Sequence, residues 1–238
     1  KFRGCMSFIK HIEHAGRRMG RGTAFCDFLT FSVCALSMKG KEDEYLKTAK
    51  KYTSDEMLHF SHAFGYLVID MDNHGEGLKD CLGDYFMEIL SNERQGQFFT
   101  PQCLCDMMSQ FTGPYENGKS VNDCCCGSGR MLLAAAKINR CLEFYGADID
   151  LQCCQMTVIN LCLNGLNGVV SHMDSLRMLE WRRWEVKLHP LYFTPYIREI
   201  DLSRIENIDV KIQPIEIKQI KPIQTTLDTL FESVDLLL

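Results

Sequence analysis

Apolar residues recur at helical spacing through most of residues 5–95. Phe25, Phe28, Leu29, Val33 and Leu36 fall on one face of a predicted helix, and Leu58, Phe64, Leu67 and Val68 repeat the pattern on the next long stretch. Thr53-Ser54-Asp55-Glu56 offers that second helix an N-cap and first-turn acids. Asn73-His74-Gly75-Glu76-Gly77 interrupts it, and Leu78–Leu90 is helical again. The pattern predicts an α-helical N-terminal domain over residues 1–94.

The period changes after Gln97. Short strands are predicted at 119–124, 143–148 and 168–173, with helices at Met131–Arg140 and Leu151–Leu163 between them, the second ended by Asn164-Gly165. Strand, helix, strand, helix, strand implies an α/β domain built on a parallel sheet with right-handed crossovers. Ligands bind such sheets beyond the C-terminal strand ends, where Asp123, Asp148 and Asp174 fall. Beyond Trp184 the pattern degrades. Residues 205–223 alternate only in part and suit short extended segments or an arm, while Leu227, Leu230, Phe231, Val234 and Leu238 share one apolar helix face. The expected division is therefore 1–94 helical, 95–198 α/β and 199–238 a C-terminal arm or tail.

Composition narrows the class. With 46% hydrophobic and 24% charged residues the chain reads as a globular protein. It has no apolar run of about 18 residues, so no membrane partner is expected. No apolar segment follows the basic start, which argues against a signal peptide and for a cytoplasmic protein. The first residue is Lys1, so the chain reads as processed or cut from a longer one. The 13 cysteines include Cys124-Cys125-Cys126 and Cys153-Cys154, a spacing unlike a disulfide framework. Reduced thiols packing as small hydrophobes fit it better. No Cys-x-x-Cys pair occurs, and the helical pairs His11/His14 and His59/His62 have no third ligand beside them in sequence, so no metal site is expected.

The net charge of −5 does not suit a protein that coats nucleic acid unaided. Two basic clusters run against it: Lys1, Arg3, Lys10, Arg17, Arg18 and Arg21, and then Arg177, Arg182, Arg183 and Lys187. Each suits either phosphate contact or a solvated helix face.

Two segments carry the chemistry. Gln97-Phe98-Phe99-Thr100-Pro101 comes first, followed by Val121-Asn122-Asp123-Cys124-Cys125-Cys126-Gly127-Ser128-Gly129. The second reads as a strand ending in an acid, a glycine turn and a helix start, which brings backbone N–H groups close to a small ligand. Leu132 stands where a dinucleotide fingerprint has its third glycine. With Tyr145-Gly146-Ala147-Asp148 and Asp174-Ser175-Leu176 in the same order, the set resembles the N-6 adenine DNA methylases, in particular the modification subunits of type I restriction-modification systems.

That resemblance implies a Rossmann-like, class I S-adenosylmethionine-dependent methyltransferase domain at 95–198. It implies S-adenosyl-L-methionine as cofactor, DNA as substrate, and a separate specificity subunit or other complex partner. Gln97, Phe98, Phe99, Thr100, Pro101, Asp123, Cys126, Gly127, Ser128, Gly129, Asp148 and Asp174 are the implied cofactor-binding residues, with Thr100 and Pro101 at the methionine end, Asp148 on the ribose and Asp174 near the adenine. Cys124 replaces a proline common in the family.

Catalysis on an adenine amine needs more, because the amine lone pair is delocalised into the ring. The family answers with an Asn/Asp-Pro-Pro-aromatic segment, and this chain contains none. His189-Pro190-Leu191-Tyr192 and Thr194-Pro195-Tyr196 come nearest, which leaves Pro195 and Tyr196 as the candidate catalytic residues. The residues after Asp174 are also too few for about four further strands with connecting helices. The expected function is an adenine-N6 DNA methyltransferase. The alternative is a catalytically degenerate module that binds cofactor or DNA inside a restriction-modification-type complex.

Overall fold

The computed structural model describes residues 3–90, 99–189, 191 and 194–204. Residues Lys1–Arg204 form one compact unit. The expected arm and apolar helix face beyond residue 204 lie outside the described residues, as does the expected boundary at 94/95.

The helices begin with α1 (Arg3–Ala15), α2 (Arg21–Leu36), α3 (Glu42–Ala49), α4 (Ser54–Asp72) and α5 (Cys81–Leu90). α4 opens on the capping box seen in sequence: Thr53 Oγ1 accepts from the Glu56 N–H, and the Glu56 carboxylate accepts from the Thr53 N–H. It ends where Asn73 turns left-handed, at the predicted breaker. A sixth helix, α6 (Gln102–Thr112), starts after Pro101; the periodicity did not announce it.

The α/β part then runs β1 (Ser120–Asp123), α7 (Arg130–Ile138), β2 (Glu143–Asp148), α8 (Leu151–Leu163) and β3 (Gly168–Asp174). β1, β2 and β3 are parallel and adjacent, as predicted. The chain continues into β4 (Leu179–Leu188) and β5 (Pro195–Ile200), both antiparallel to their neighbours, giving a mixed sheet of order β1-β2-β3-β4-β5.

β4 carries Arg182, Arg183 and Lys187 of the second basic cluster, which corrects the helix-face alternative for these three residues. Trp184 and Val186 point into the core, but the register slips between His172 and Met173, where Trp181 is left without a partner residue. The bulge breaks the alternation that a sequence pattern relies on.

α8 ties the fold together. Cys153, Cys154, Met156, Val158, Ile159, Leu161 and Cys162 are all buried, and the helix contacts β2–β5 as well as α2, α5 and α7. A helix with apolar residues on every side belongs inside a protein rather than on its surface, and its buried polar residues Gln155, Thr157 and Asn160 are hydrogen-bonded. The other face of the sheet is more open: Phe144 and Gly146 of β2 are buried, while Glu143 and Tyr145 are exposed. The buried cysteines sit in this core as small hydrophobes, and burial pushes the Cys81 and Cys162 thiols up to about 12.

Candidate functional site

The glycine turn is built by close approach. Cys126 N–H donates to the Ala147 carbonyl (2.9 Å), pulling the turn against the end of β2. Gly127 and Gly129 hold φ of 55° and 83°, a region that L side chains rarely adopt. A Cβ on Gly127 would lie 3.1 Å from the Phe99 ring, and one on Gly129 would lie 3.0 Å from Thr157. Thr157 Oγ1 in turn donates to the Gly127 carbonyl (2.9 Å), so α8 braces the turn from below.

Asp148, at the end of β2, accepts from the Gly127 N–H through Oδ2 and from the Asp150 N–H through Oδ1, both at 2.9 Å. Asp150 caps α8 by accepting from the Gln152 N–H, the role expected from sequence. An ionised carboxylate has about four acceptor positions, so Asp148 keeps capacity for ligand hydroxyls. Asp123 accepts from the Cys125 N–H (3.1 Å). Burial raises the Asp123 carboxyl above the usual carboxylate range and the nearby Asp148 charge adds to the rise, against the lowering effect of that N–H. Asp174 accepts from the Leu176 and Arg177 N–H groups (3.0 Å each), which shapes the turn after β3. Ser175 Oγ donates to the Cys124 carbonyl (2.9 Å) and links that turn to the one after β1.

Between these turns lies a cavity of about 480 Å³, lined by Phe99, Cys124, Cys125, Gly127, Asp148, Ile149, Cys153, Met173, Asp174, Ser175 and Leu176. Its size falls in the range of small-molecule sites. It sits at the C-terminal ends of the parallel strands, where Asp123, Asp148 and Asp174 were expected to converge.

Of the residues implied by sequence, Phe99, Gly127, Asp148 and Asp174 line the cavity. Gln97 and Phe98 lie outside the described residues. Thr100, Pro101, Asp123, Cys126, Ser128 and Gly129 do not line it: Cys126 packs on Gly146, Ser128 is buried, and Thr100 and Pro101 are exposed. Cys124, Cys125, Ser175 and Leu176, quoted in the motifs but not named as site residues, also line the cavity; so do Ile149, Cys153 and Met173, and Ile149 and Met173 stand next to the acids that end β2 and β3.

The structure does not bring Pro195 and Tyr196 to this place. They open β5 and pair with Leu188 and Lys187 of β4, beyond the level of Gly168 at the start of β3. The cavity lies at the other end of β3, about 20 Å away along a seven-residue strand. Tyr196 instead lines a separate hollow with Ser37–Lys41.

The second basic cluster is largely neutralised. Arg182 bonds Glu199 (2.8 Å) and reaches Glu44, Arg183 pairs with Glu180 (2.5 Å), and Lys187 with Glu185 (2.6 Å). The two histidine pairs, separate in sequence, meet across α1 and α4, with His11 Nδ1 and His59 Nδ1 2.8 Å apart. Among the described residues no group of three or more His, Cys, Asp or Glu is arranged to hold a metal ion.

Comparison with known proteins adds a family match over part of the chain. Residues 78–192 match the family model described as N-6 DNA Methylase. The match begins just before Asp80 and α5, covers the glycine turn and the three parallel strands, and ends after β4. It bears out the resemblance read from the motifs. Among solved structures the chain is similar to the type I restriction-modification system methyltransferase subunit from Streptococcus thermophilus, at 18% identity and a TM-score of 0.40, over 71% of this chain and 38% of that one. The chain thus spans little more than a third of that subunit's length. The search of curated proteins returned no match. Among the described residues no helix is long and apolar enough to cross a membrane.

Proposed function

We propose that the cavity beyond β1–β3 binds S-adenosyl-L-methionine and that the chain is the Rossmann-like, class I cofactor-binding part of an adenine-N6 DNA methyltransferase acting with a specificity partner. The observation that supports this best is Asp148: it ends β2, lines the cavity, and is held by the glycine turn's own N–H at 2.9 Å. The residues present fit the cofactor. Asp148 offers acceptors to ribose hydroxyls, Asp174 an acceptor to an exocyclic amine, and Phe99, Ile149 and Met173 apolar walls to a purine. When bound, the cofactor supplies an electrophilic methyl group on a sulfonium centre. The chain's residues orient it.

Calorimetry tests the reading. S-adenosylmethionine is expected to bind, and Asp148→Ala to weaken it by about 1.5–3 kcal/mol, the worth of hydrogen bonds to a charged group. Binding of NAD in place of S-adenosylmethionine would overturn it.

A second reading is favoured by the position of Pro195 and Tyr196, at the far end of the sheet from the cavity. On that reading the chain holds cofactor or DNA within a complex and supplies no acceptor for the adenine amine. Transfer of labelled methyl groups to duplex DNA by this chain with its specificity partner separates the two: incorporation supports the enzyme, and cofactor binding without incorporation supports the module.

A further inference from the structure

We propose that Asp80 is a positioning residue for the cavity, fixing two of its walls through one buried ionic hub. The proposal rests on the reading of the cavity as an S-adenosylmethionine site.

Asp80 is 2% exposed and lies just ahead of α5, outside the cavity. Its Oδ1 accepts from the Gly83 N–H (2.9 Å) and Asn160 Nδ2 (2.8 Å); its Oδ2 accepts from Arg130 Nε (2.8 Å) and the Ser128 hydroxyl. Four donors fill the carboxylate's acceptor positions. Each donor leads elsewhere. Asn160 Nδ2 also donates to the Ser128 carbonyl (2.8 Å), so Ser128 is held by side chain and backbone at once, between the two left-handed glycines. Arg130 donates through Nη2 to Asp84 (2.7 Å) and through Nη1 to the Thr100 carbonyl (3.3 Å). Thr100 follows Phe99, whose ring stands against Gly127.

The Gly127 wall and the Phe99 wall are therefore anchored to the same carboxylate. Gly83 makes the approach possible, since a Cβ there would lie 2.1 Å from Asp80 Oδ2. All four acceptor positions of the buried Asp80 carboxylate are filled, while Asn160 Oδ1 is buried without a partner, so the arrangement turns on Asp80 and its loss leaves further buried groups unpaired. Asp80→Asn keeps the shape but removes the charge that Arg130 faces, and turns one acceptor into a donor among donors.

The experiment compares wild type with Asp80→Asn, and with the milder Ser128→Ala in case the first variant does not fold. Two readouts are taken on the whole chain: S-adenosylmethionine affinity by calorimetry, and amide hydrogen exchange. A positioning role predicts an affinity loss of about tenfold. It also predicts faster exchange at Gly127–Gly129 and Thr100 than the change in global stability accounts for. A merely structural role would lower the melting temperature while leaving affinity and the ranking of local exchange unchanged, and that result overturns the proposal. If wild type fails to bind S-adenosylmethionine, the cofactor reading falls, and exchange alone decides: selective acceleration at the turn supports the hub, and uniform acceleration refutes it.

Discussion

Gly127, at φ 55° with the Phe99 ring 3.1 Å from its absent Cβ, combines backbone strain with close approach. Gly127→Ala is expected to destabilise the chain by about 1–2 kcal/mol from the left-handed conformation alone. It should also push Phe99 into the cavity. A urea midpoint lowered together with weaker cofactor binding is the expected outcome, and an unchanged midpoint would contradict the geometry. The turn was legible in the sequence because glycine spacing is a local signal. Asp148 was legible too, since an acid closing a strand some twenty residues past a glycine turn is a spacing rule. Asp80 was not: it meets Ser128 across 48 positions and Asn160 across 80, and no local pattern marks such a partnership. The one hint was Thr157 and Asn160, polar and three apart on a helix whose buried positions are mostly apolar, and both hold carbonyls of the turn.

Among the elements, α1 and α4 carry a pH-dependent contact. His11 and His59 share an Nδ1···Nδ1 hydrogen bond, with His14 and His62 packed beside them and Tyr66 stacked on His11. Arg17 lies 3.4 Å from His14, and Asp55 4.0 Å from His59. Phe8 of α1 meets Phe25 and Phe28 of α2 and Tyr85 of α5, so those sides are aromatic. Burial lowers the His11 pKa below its ordinary 6.5, and the charges of His59, His62 and His14 lower it further. A depressed folded-state pKa means that the unfolded chain binds the proton more readily. The contribution is therefore complete above pH 6.5 and is lost as pH falls below it, because a proton on His11 meets burial and the surrounding histidines. Denaturant midpoints at pH 7.5 and 5.5 should show this loss in wild type and a smaller loss in His11→Gln; equal losses would sink the idea. The sequence showed each histidine pair on a helix face but not that the faces meet, because docking of α1 on α4 is decided by the apolar residues between them. β4 was missed for a different reason: the Trp181 bulge and the run of paired charges hid its alternation.

At the scale of the molecule, one core joins helices and sheet through α8, which separate readings of the helical and α/β segments did not foresee. The same packing turns Arg182 inward to Glu199 and Glu44 and over the Trp184 ring at 4.9 Å. Arg182→Ala should therefore cost about 1–3 kcal/mol of stability, measured by urea denaturation. Its effect on DNA affinity should be small once the variant is folded; a large, salt-dependent loss of DNA affinity at full stability would restore the phosphate-contact reading. Any DNA binding by the isolated chain should be weak, independent of sequence and steep in salt. The central claim concerns where the cofactor sits, and amide chemical shifts during titration with S-adenosylmethionine test it most directly. Saturable shifts are expected at Gly127, Asp148, Ile149 and Ser175, around the cavity beyond β1–β3. Saturable shifts confined to Ser37–Lys41 and β5, or none at any concentration while NAD produces them, would contradict it.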